Sequence, residues 1–148
     1  MKTSQKGISL IKEFESFRAK PYLCPARVAT VGYGTTVYPS GKRVTMLDPC
    51  VTESKASEYL QHDVESFEQT VSVLVKSQIN QDQFDALVSF TYNLGGNNLK
   101  KSTLLKKINA NPSDPSIKFE FLKWNRAGGK VLAGLTRRRI AESNLYFQ

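Results

Sequence analysis

Between Thr52 and Leu74 the apolar residues Ala56, Leu60, Val64, Phe67, Val71 and Leu74 recur at steps of three and four. That spacing, held over more than five turns, matches the 3.6-residue period of an α-helix and not the two-residue period of a strand. At 1.5 Å per residue such a helix is about 35 Å long, roughly the diameter of a small domain. Thr52 supplies a side-chain oxygen for the free N–H groups of the first turn, and Glu53 places negative charge at the positive end of the helix dipole. A chain of 148 residues can bury a real core as one domain, or as one domain with two lobes. A helix this long is suited to bridging two lobes, and it constrains the fold more than any other segment.

The flanking segments differ in character. On the N-terminal side, Leu10, Phe14 and Phe17, widened by Ile11, predict a helix from about Ser4 to Phe17, ended by Pro21. Val28 to Thr36 reads as a short strand, Tyr38-Pro39-Ser40-Gly41 as a turn, and Lys42-Arg43-Val44 as the returning strand. On the C-terminal side everything is helical. Asn80 and Gln83 form the pattern of a capping box ahead of Phe84, Leu87 and Val88, and Gly95-Gly96 stops that helix. Further helices are predicted from Ser102 to about Ala110 and from Pro115 to Trp124, the latter with Ile117, Phe121 and Leu122 inward. Gly128-Gly129 and Gly134 bracket a loop, and Thr136 is the expected cap of a last helix through Arg137-Arg138-Arg139-Ile140. Asn144 to Gln148 matches part of a protease-recognition sequence as well as a helix end. The expected class is α+β. An N-terminal helix and small antiparallel β lobe (about 1–51) leads into a connecting helix (about 52–76) and then a larger helical lobe (about 77–148).

Composition narrows the chemistry. The 40% hydrophobic and 23% charged residues are ordinary for a folded soluble protein, whereas the net charge of +8 favours polyanionic partners. No helix-turn-helix, zinc or aromatic-platform signature marks a nucleic-acid binder. Lys12 and Glu13 interrupt the first apolar stretch, so the N-terminus predicts neither a signal peptide nor a membrane span. Cys24 and Cys50 are too few for a disulfide framework or a zinc site, although their number allows one bridge. The single histidine, His62, lies mid-helix beside Asp63 and is read as solvated, which leaves no Ser-His-Asp triad.

One stretch carries chemistry: Glu15-Ser-Phe-Arg-Ala-Lys-Pro-Tyr-Leu-Cys24-Pro-Ala-Arg-Val-Ala-Thr30. An acid at a helix end is followed nine residues later by a thiol in a loop, then six further on by a hydroxyl on a strand. A turn at Pro21 is expected to bring the thiol back to face the acid. Glycoside hydrolysis needs such a pair, one group giving a proton to the leaving oxygen and the other acting across the sugar. Glutamic acid suits the first role, because a carboxyl in a partly desolvated cleft holds its proton better than one in water. Glu13 is a nearby competitor that sits beside apolar Phe14 and lacks the spacing.

The order Glu15, Cys24, Thr30 resembles the catalytic signature of the phage-type lysozymes of glycoside hydrolase family 24, whose middle position is Asp or, in some members, Cys. Three further segments are similar to that family, in the same order: Thr30-Val-Gly-Tyr-Gly-Thr-Thr36, Asn80 through Gly95, and Trp124-Asn-Arg-Ala-Gly-Gly-Lys-Val131 leading to Gly134-Leu-Thr-Arg-Arg-Arg139. The resemblance implies a lysozyme-like fold and a muramidase in which Glu15 is the general acid, Cys24 stands for the water-activating Asp, and Thr30 positions the water. It further implies that Tyr92 and Asn93 line the glycan cleft, and that Arg137 or Arg138 is the cation paired with the acid. Peptidoglycan is then the partner of a monomer that needs no cofactor or metal, binds no nucleic acid and inserts in no membrane. Such a protein would gather in the host cytoplasm and leave through holin pores. Cysteine at the middle position opens two routes, a base acting on water with inversion or a thiolate attacking carbon with retention. The bland reading of Cys24 is a small buried hydrophobe, and Cys50 carries no signal of its own. A catalytically dead wall-binding module is the alternative from another class.

Overall fold

The computed structural model describes every residue from Met1 to Gln148. The chain forms two compact units, the smaller comprising Ile11–Glu65 and the larger Met1–Leu10 with Ser66–Gln148. The elements in order are α1 (Gln5–Glu15), β1 (Arg18–Leu23), β2 (Ala29–Gly32), α2 (Glu53–Leu74) and α3 (Gln81–Leu94). They continue with α4 (Gly96–Lys101), α5 (Thr103–Ala110), α6 (Ile117–Leu122), β3 (Arg126–Ala127), β4 (Lys130–Val131) and α7 (Ala133–Tyr146). This is the expected α+β class, helix-rich with small antiparallel sheets. No helix is long and apolar enough to cross a membrane.

In the smaller unit Ile11, Val31, Tyr33, Val44, Ala56, Leu60 and Val64 are buried. The predicted stripe of α2 holds along this half of the helix, and the Thr52 side chain accepts from the Lys55 N–H as a cap. After β2 the chain turns back on itself, Val31 and Thr35 exchanging both backbone hydrogen bonds at 2.9 Å. Gly32 makes that turn possible. Its φ is +68°, and a Cβ there would stand 2.9 Å from the Cβ of Ala56, so both conformation and space call for glycine. Beyond it, the Asp48 carboxylate accepts from the Thr45 N–H and the Tyr38 hydroxyl, and these donors hold its pKa down at about 2.

The larger unit is built around α3, whose residues Phe84 to Thr91 are all buried. A helix buried on most of its surface belongs inside a bundle, and α7 packs along it. Phe90 meets Phe121 and Trp124 edge-on, each at 5.8 Å. Asn80 caps α3 with the full capping box expected of Asn80 and Gln83. The unit also holds the charge: its fourteen Lys and Arg outnumber its six Asp and Glu, while the smaller unit has seven of each. The entire net +8 therefore lies on the larger unit.

Several local expectations are corrected. α1 stops at Glu15, not Phe17, because Ser16 adopts the left-handed φ of +59°. Its inward face is Ile8 and Ile11, while Leu10 and Phe14 are half-buried and Phe17 lies outside the helix. Pro21 ends nothing. It sits within β1 where the register shifts between Arg18 and Tyr22, a place where a missing N–H breaks no ladder bond. The chain reverses at Pro25 instead. Lys42–Val44 returns through an isolated bridge between Val37 and Arg43 and forms no strand. Gly128-Gly129, with φ of +57° and +78°, makes the two-residue turn of the β3–β4 hairpin. α7 starts at Ala133, so Thr136 lies inside it and its N–H already donates to Leu132. The last residues finish α7, with Leu145 and Tyr146 buried and the Tyr146 hydroxyl donating to the Pro112 carbonyl at 2.7 Å.

Candidate active site

Glu15 is the final residue of α1, half-exposed at the point where Ser16 turns the chain away. Three residues later β1 begins and runs to the hairpin that carries the thiol. There the Cys24 N–H donates to the Val28 carbonyl at 3.1 Å, and the Arg27 N–H donates to the Cys24 carbonyl at 2.7 Å. Pro25 presets φ for the first turn position, and Arg27 takes the left-handed φ of +62° that closes a three-residue hairpin loop. Both backbone groups of Cys24 are thus engaged, and its place at the mouth of the loop is fixed.

This loop gives the sulfur an unusual setting. The Val28 N–H, foremost, holds the thiol below its ordinary pKa. Some desolvation opposes it, and the Ala26 N–H and the Thr30 hydroxyl add to it. Donors that converge on a thiolate favour the charged form. Thr30 is buried and its Oγ1 donates to the Val28 carbonyl at 2.8 Å. Rotation of that O–H bond swings the proton toward the sulfur, where a thiolate would draw it. Because the folded pKa is depressed, the thiolate fraction at neutral pH exceeds that of a free cysteine. In a Cys50→Ser background, the rate of Cys24 alkylation by iodoacetamide should rise with a midpoint below that of free cysteine measured in the same buffer. A midpoint at or above that value would show that the loop donors do not act on the sulfur.

The sheet brings in a residue absent from the sequence-based set. Tyr22 pairs in register with Thr30, and alternation along β1 puts Tyr22 and Cys24 on one face. Arg18 stacks over the Tyr22 ring, 4.2 Å from its centroid. Burial pushes the Tyr22 phenol up, Arg18 pulls it back, and the negative charges of Glu15 and Cys24 push it up again. One phenol therefore feels both the acid and the thiol. The two-residue step between Tyr22 and Cys24 is the signal for it, obscured because Pro21 suggests a turn where β1 in fact runs.

In the larger unit, Tyr92 and Asn93 occupy the last turn of α3. The Tyr92 ring meets Phe67 edge-on at 5.3 Å, and the Asn93 carboxamide oxygen accepts from Arg139 at 2.9 Å. The three arginines of α7 differ sharply. Arg137 is exposed, whereas Arg138 and Arg139 are buried beside Glu142. Glu142 Oε2 accepts from Ser89 at 2.6 Å, Arg138 at 3.3 Å and Arg139 at 3.1 Å. Arg139 Nε also approaches Glu142 Oε1 to 2.7 Å without hydrogen-bond alignment, so that contact is Coulombic. Burial pushes the Glu142 carboxyl up and the Arg139 guanidinium down, and their pairing opposes both. Cys24 and Cys50 are free thiols, Cys50 on the surface.

The model of the family described as Phage lysozyme matches residues 12–142. The chain belongs to the phage lysozyme family. It is 45% identical over 150 residues to the endolysin of Bacillus phage B103, covering 99% of this chain and 54% of that protein. It is 34% identical over 139 residues to the endolysin of Salmonella phage P22, covering 94% of each. The solved endolysin from Escherichia coli O157:H7 phage FAHEc1 matches with a TM-score of 0.90 at 36% identity, over 100% of this chain and 94% of that one. The chain spans about half the length of the two Bacillus phage relatives, 54% of one and 55% of the other. The matched residues of this phage lysozyme family member include Glu15, Cys24 and Thr30 in the smaller unit, and the Arg139–Glu142 cluster in the larger. The buried Arg139 escapes a reading of sequence alone because a run of three basic residues looks like a solvated face. Glu142, three and four residues beyond Arg139 and Arg138, is the cue to an inward-facing pair.

Proposed function

We propose that this phage lysozyme family member is a muramidase, cutting the β-1,4 bond between N-acetylmuramic acid and N-acetylglucosamine in bacterial peptidoglycan. The observation that carries the reading is the pairing of Tyr22 with Thr30 on the β1–β2 sheet, with Cys24 at the mouth of its hairpin and the charge of Glu15 reaching the same phenol. Glu15 gives its proton to the leaving oxygen as the bond from C1 breaks, and the Cys24 thiolate forms a bond to C1. Water, deprotonated by the Glu15 carboxylate, then attacks C1 and expels the thiolate, which restores the starting state. The donors that converge on Cys24 favour the nucleophilic form, and Thr30 orients groups at the sulfur. Tyr92, Asn93 and Arg137 are the proposed glycan contacts of the larger unit. The enzyme would act on the wall after holin-dependent release from the host cytoplasm.

Permeabilised Gram-negative cells should clear in its presence, with new reducing ends appearing in the wall. NMR of the freshly released end should show the β anomer first, because two displacements at C1 retain configuration. An initial α anomer would replace attack by sulfur with a Cys24-activated water. Wall binding without clearing would reduce the protein to a binding module and end the catalytic reading.

A further inference from the structure

The turn from α1 into β1 is made by a residue poorly suited to it. Ser16 holds a φ of +59°, a left-handed conformation in which a Cβ crowds the following carbonyl oxygen. A residue other than glycine stays there only where its surroundings fix the chain on both sides. One ring of the smaller unit does so. Lys12, in the last turn of α1, places its Nζ 5.3 Å from the centroid of the Tyr33 ring. Phe17, just past the turn, packs on the same ring with centroids 5.7 Å apart. Tyr33 itself is buried, and its hydroxyl donates to Glu53 Oε1 of α2 at 2.9 Å. The same oxygen accepts from Lys12 at 3.3 Å and from Ser57 at 2.9 Å. Burial, and then the bond and charge of Glu53, push the Tyr33 phenol up, so it remains a donor through the neutral range.

Resting on the muramidase reading, we propose that Tyr33 is a positioning residue: by gripping the chain on both sides of Ser16 it holds the turn that aims the Glu15 carboxyl. Glu15 lies between the two gripped residues, Lys12 and Phe17, and directly before Ser16. Without the grip, Ser16 relaxes to a negative φ and the last turn of α1 shifts. The acid then leaves its line to the glycosidic oxygen. Holding the strand needs no such aim, so the loss falls on turnover and not on affinity.

Tyr33→Leu removes the ring. Its turnover at saturating sacculi should fall about 10- to 100-fold, as expected when a reacting group is displaced by up to about 1 Å. In a Glu15→Gln background the same change should leave the affinity for sacculi unaltered. Tyr33→Phe keeps the ring against Lys12 and Phe17, and its turnover should stay within about threefold of the parent. Adding Ser16→Gly to Tyr33→Leu should recover much of the lost rate, because glycine adopts a positive φ without being held. A role in stability alone would show no such recovery at a temperature where both proteins are folded. Should Tyr33→Leu not fold, Phe17→Ala, at a position 37% exposed, carries the same test from the other side of the turn. Turnover within about threefold of the parent, or a loss that Ser16→Gly leaves unchanged, would overturn the inference while the muramidase reading stands. A parent that cleaves no sacculi would overturn that reading and this inference with it.

Discussion

Glu15→Gln should clear permeabilised cells about 10²- to 10⁴-fold more slowly than the parent, the usual contribution of a positioned proton donor. Glutamine keeps the size of glutamate and its place at the end of α1, but it has no proton of suitable acidity to give to a glycosidic oxygen. A leaving alkoxide is then expelled unprotonated, and the barrier rises accordingly. Cys24→Ser should fall as far, since a hydroxyl in the same loop is scarcely ionised at neutral pH and the donors of Val28 and Ala26 have no anion to hold. Circular dichroism of each variant checks that the fold persists, and the initial rate of turbidity loss supplies the comparison. A Glu15→Gln protein within about tenfold of the parent would remove Glu15 from the mechanism.

The largest stability effect should come from the other unit. Glu142→Ala leaves two buried guanidiniums, Arg138 and Arg139, without the carboxylate that lies 2.7 to 3.3 Å from both. Breaking a buried ion pair from one side costs about 3–5 kcal/mol, because the remaining charge is stranded away from water. For a chain of this size that lowers the melting temperature by about 10–20 °C. Ser89, which donates to the same carboxylate oxygen, also loses its acceptor. Replacing Glu142 by Leu together with Arg139 by Met should be milder, since only Arg138 then loses that carboxylate. Calorimetry on the single and double variants reads the contrast. A single variant less than about 1 kcal/mol below the parent would mean that water already reaches the cluster.

Long periodic segments are legible without coordinates. The stripe from Ala56 to Val71 and the Asn80–Gln83 cap stand where the periodicity puts them, because a helix repeats its preference many times and errors average out. The β1–β2 hairpin is not legible in the same way. Pro21 looks like a helix stop, yet it is Ser16, a residue that seldom adopts a positive φ, that takes the left-handed conformation. A single φ value is decided by the packing around it, and six residues of Arg18–Leu23 offer too short a pattern to announce a strand. The spacing of Glu15, Cys24 and Thr30 is visible as a motif. The setting of Cys24 is not, because it comes chiefly from the backbone amides of Val28 and Ala26 and not from a side-chain pattern. In α7 the charge of Arg139 argues for solvent, and only the packed structure shows it turned inward to Glu142 and Asn93.

The uneven sharing of charge between a neutral hairpin unit and a strongly cationic helical one has a practical consequence. Added electrolyte shortens the reach of exposed charges to about 8 Å at physiological strength, and it acts where those charges are. If the proposed muramidase reading holds, retention on an anionic matrix and the bond-breaking step should be adjustable apart from each other: lysines traded on the helical surface should tune adhesion without touching the groups around the sulfur.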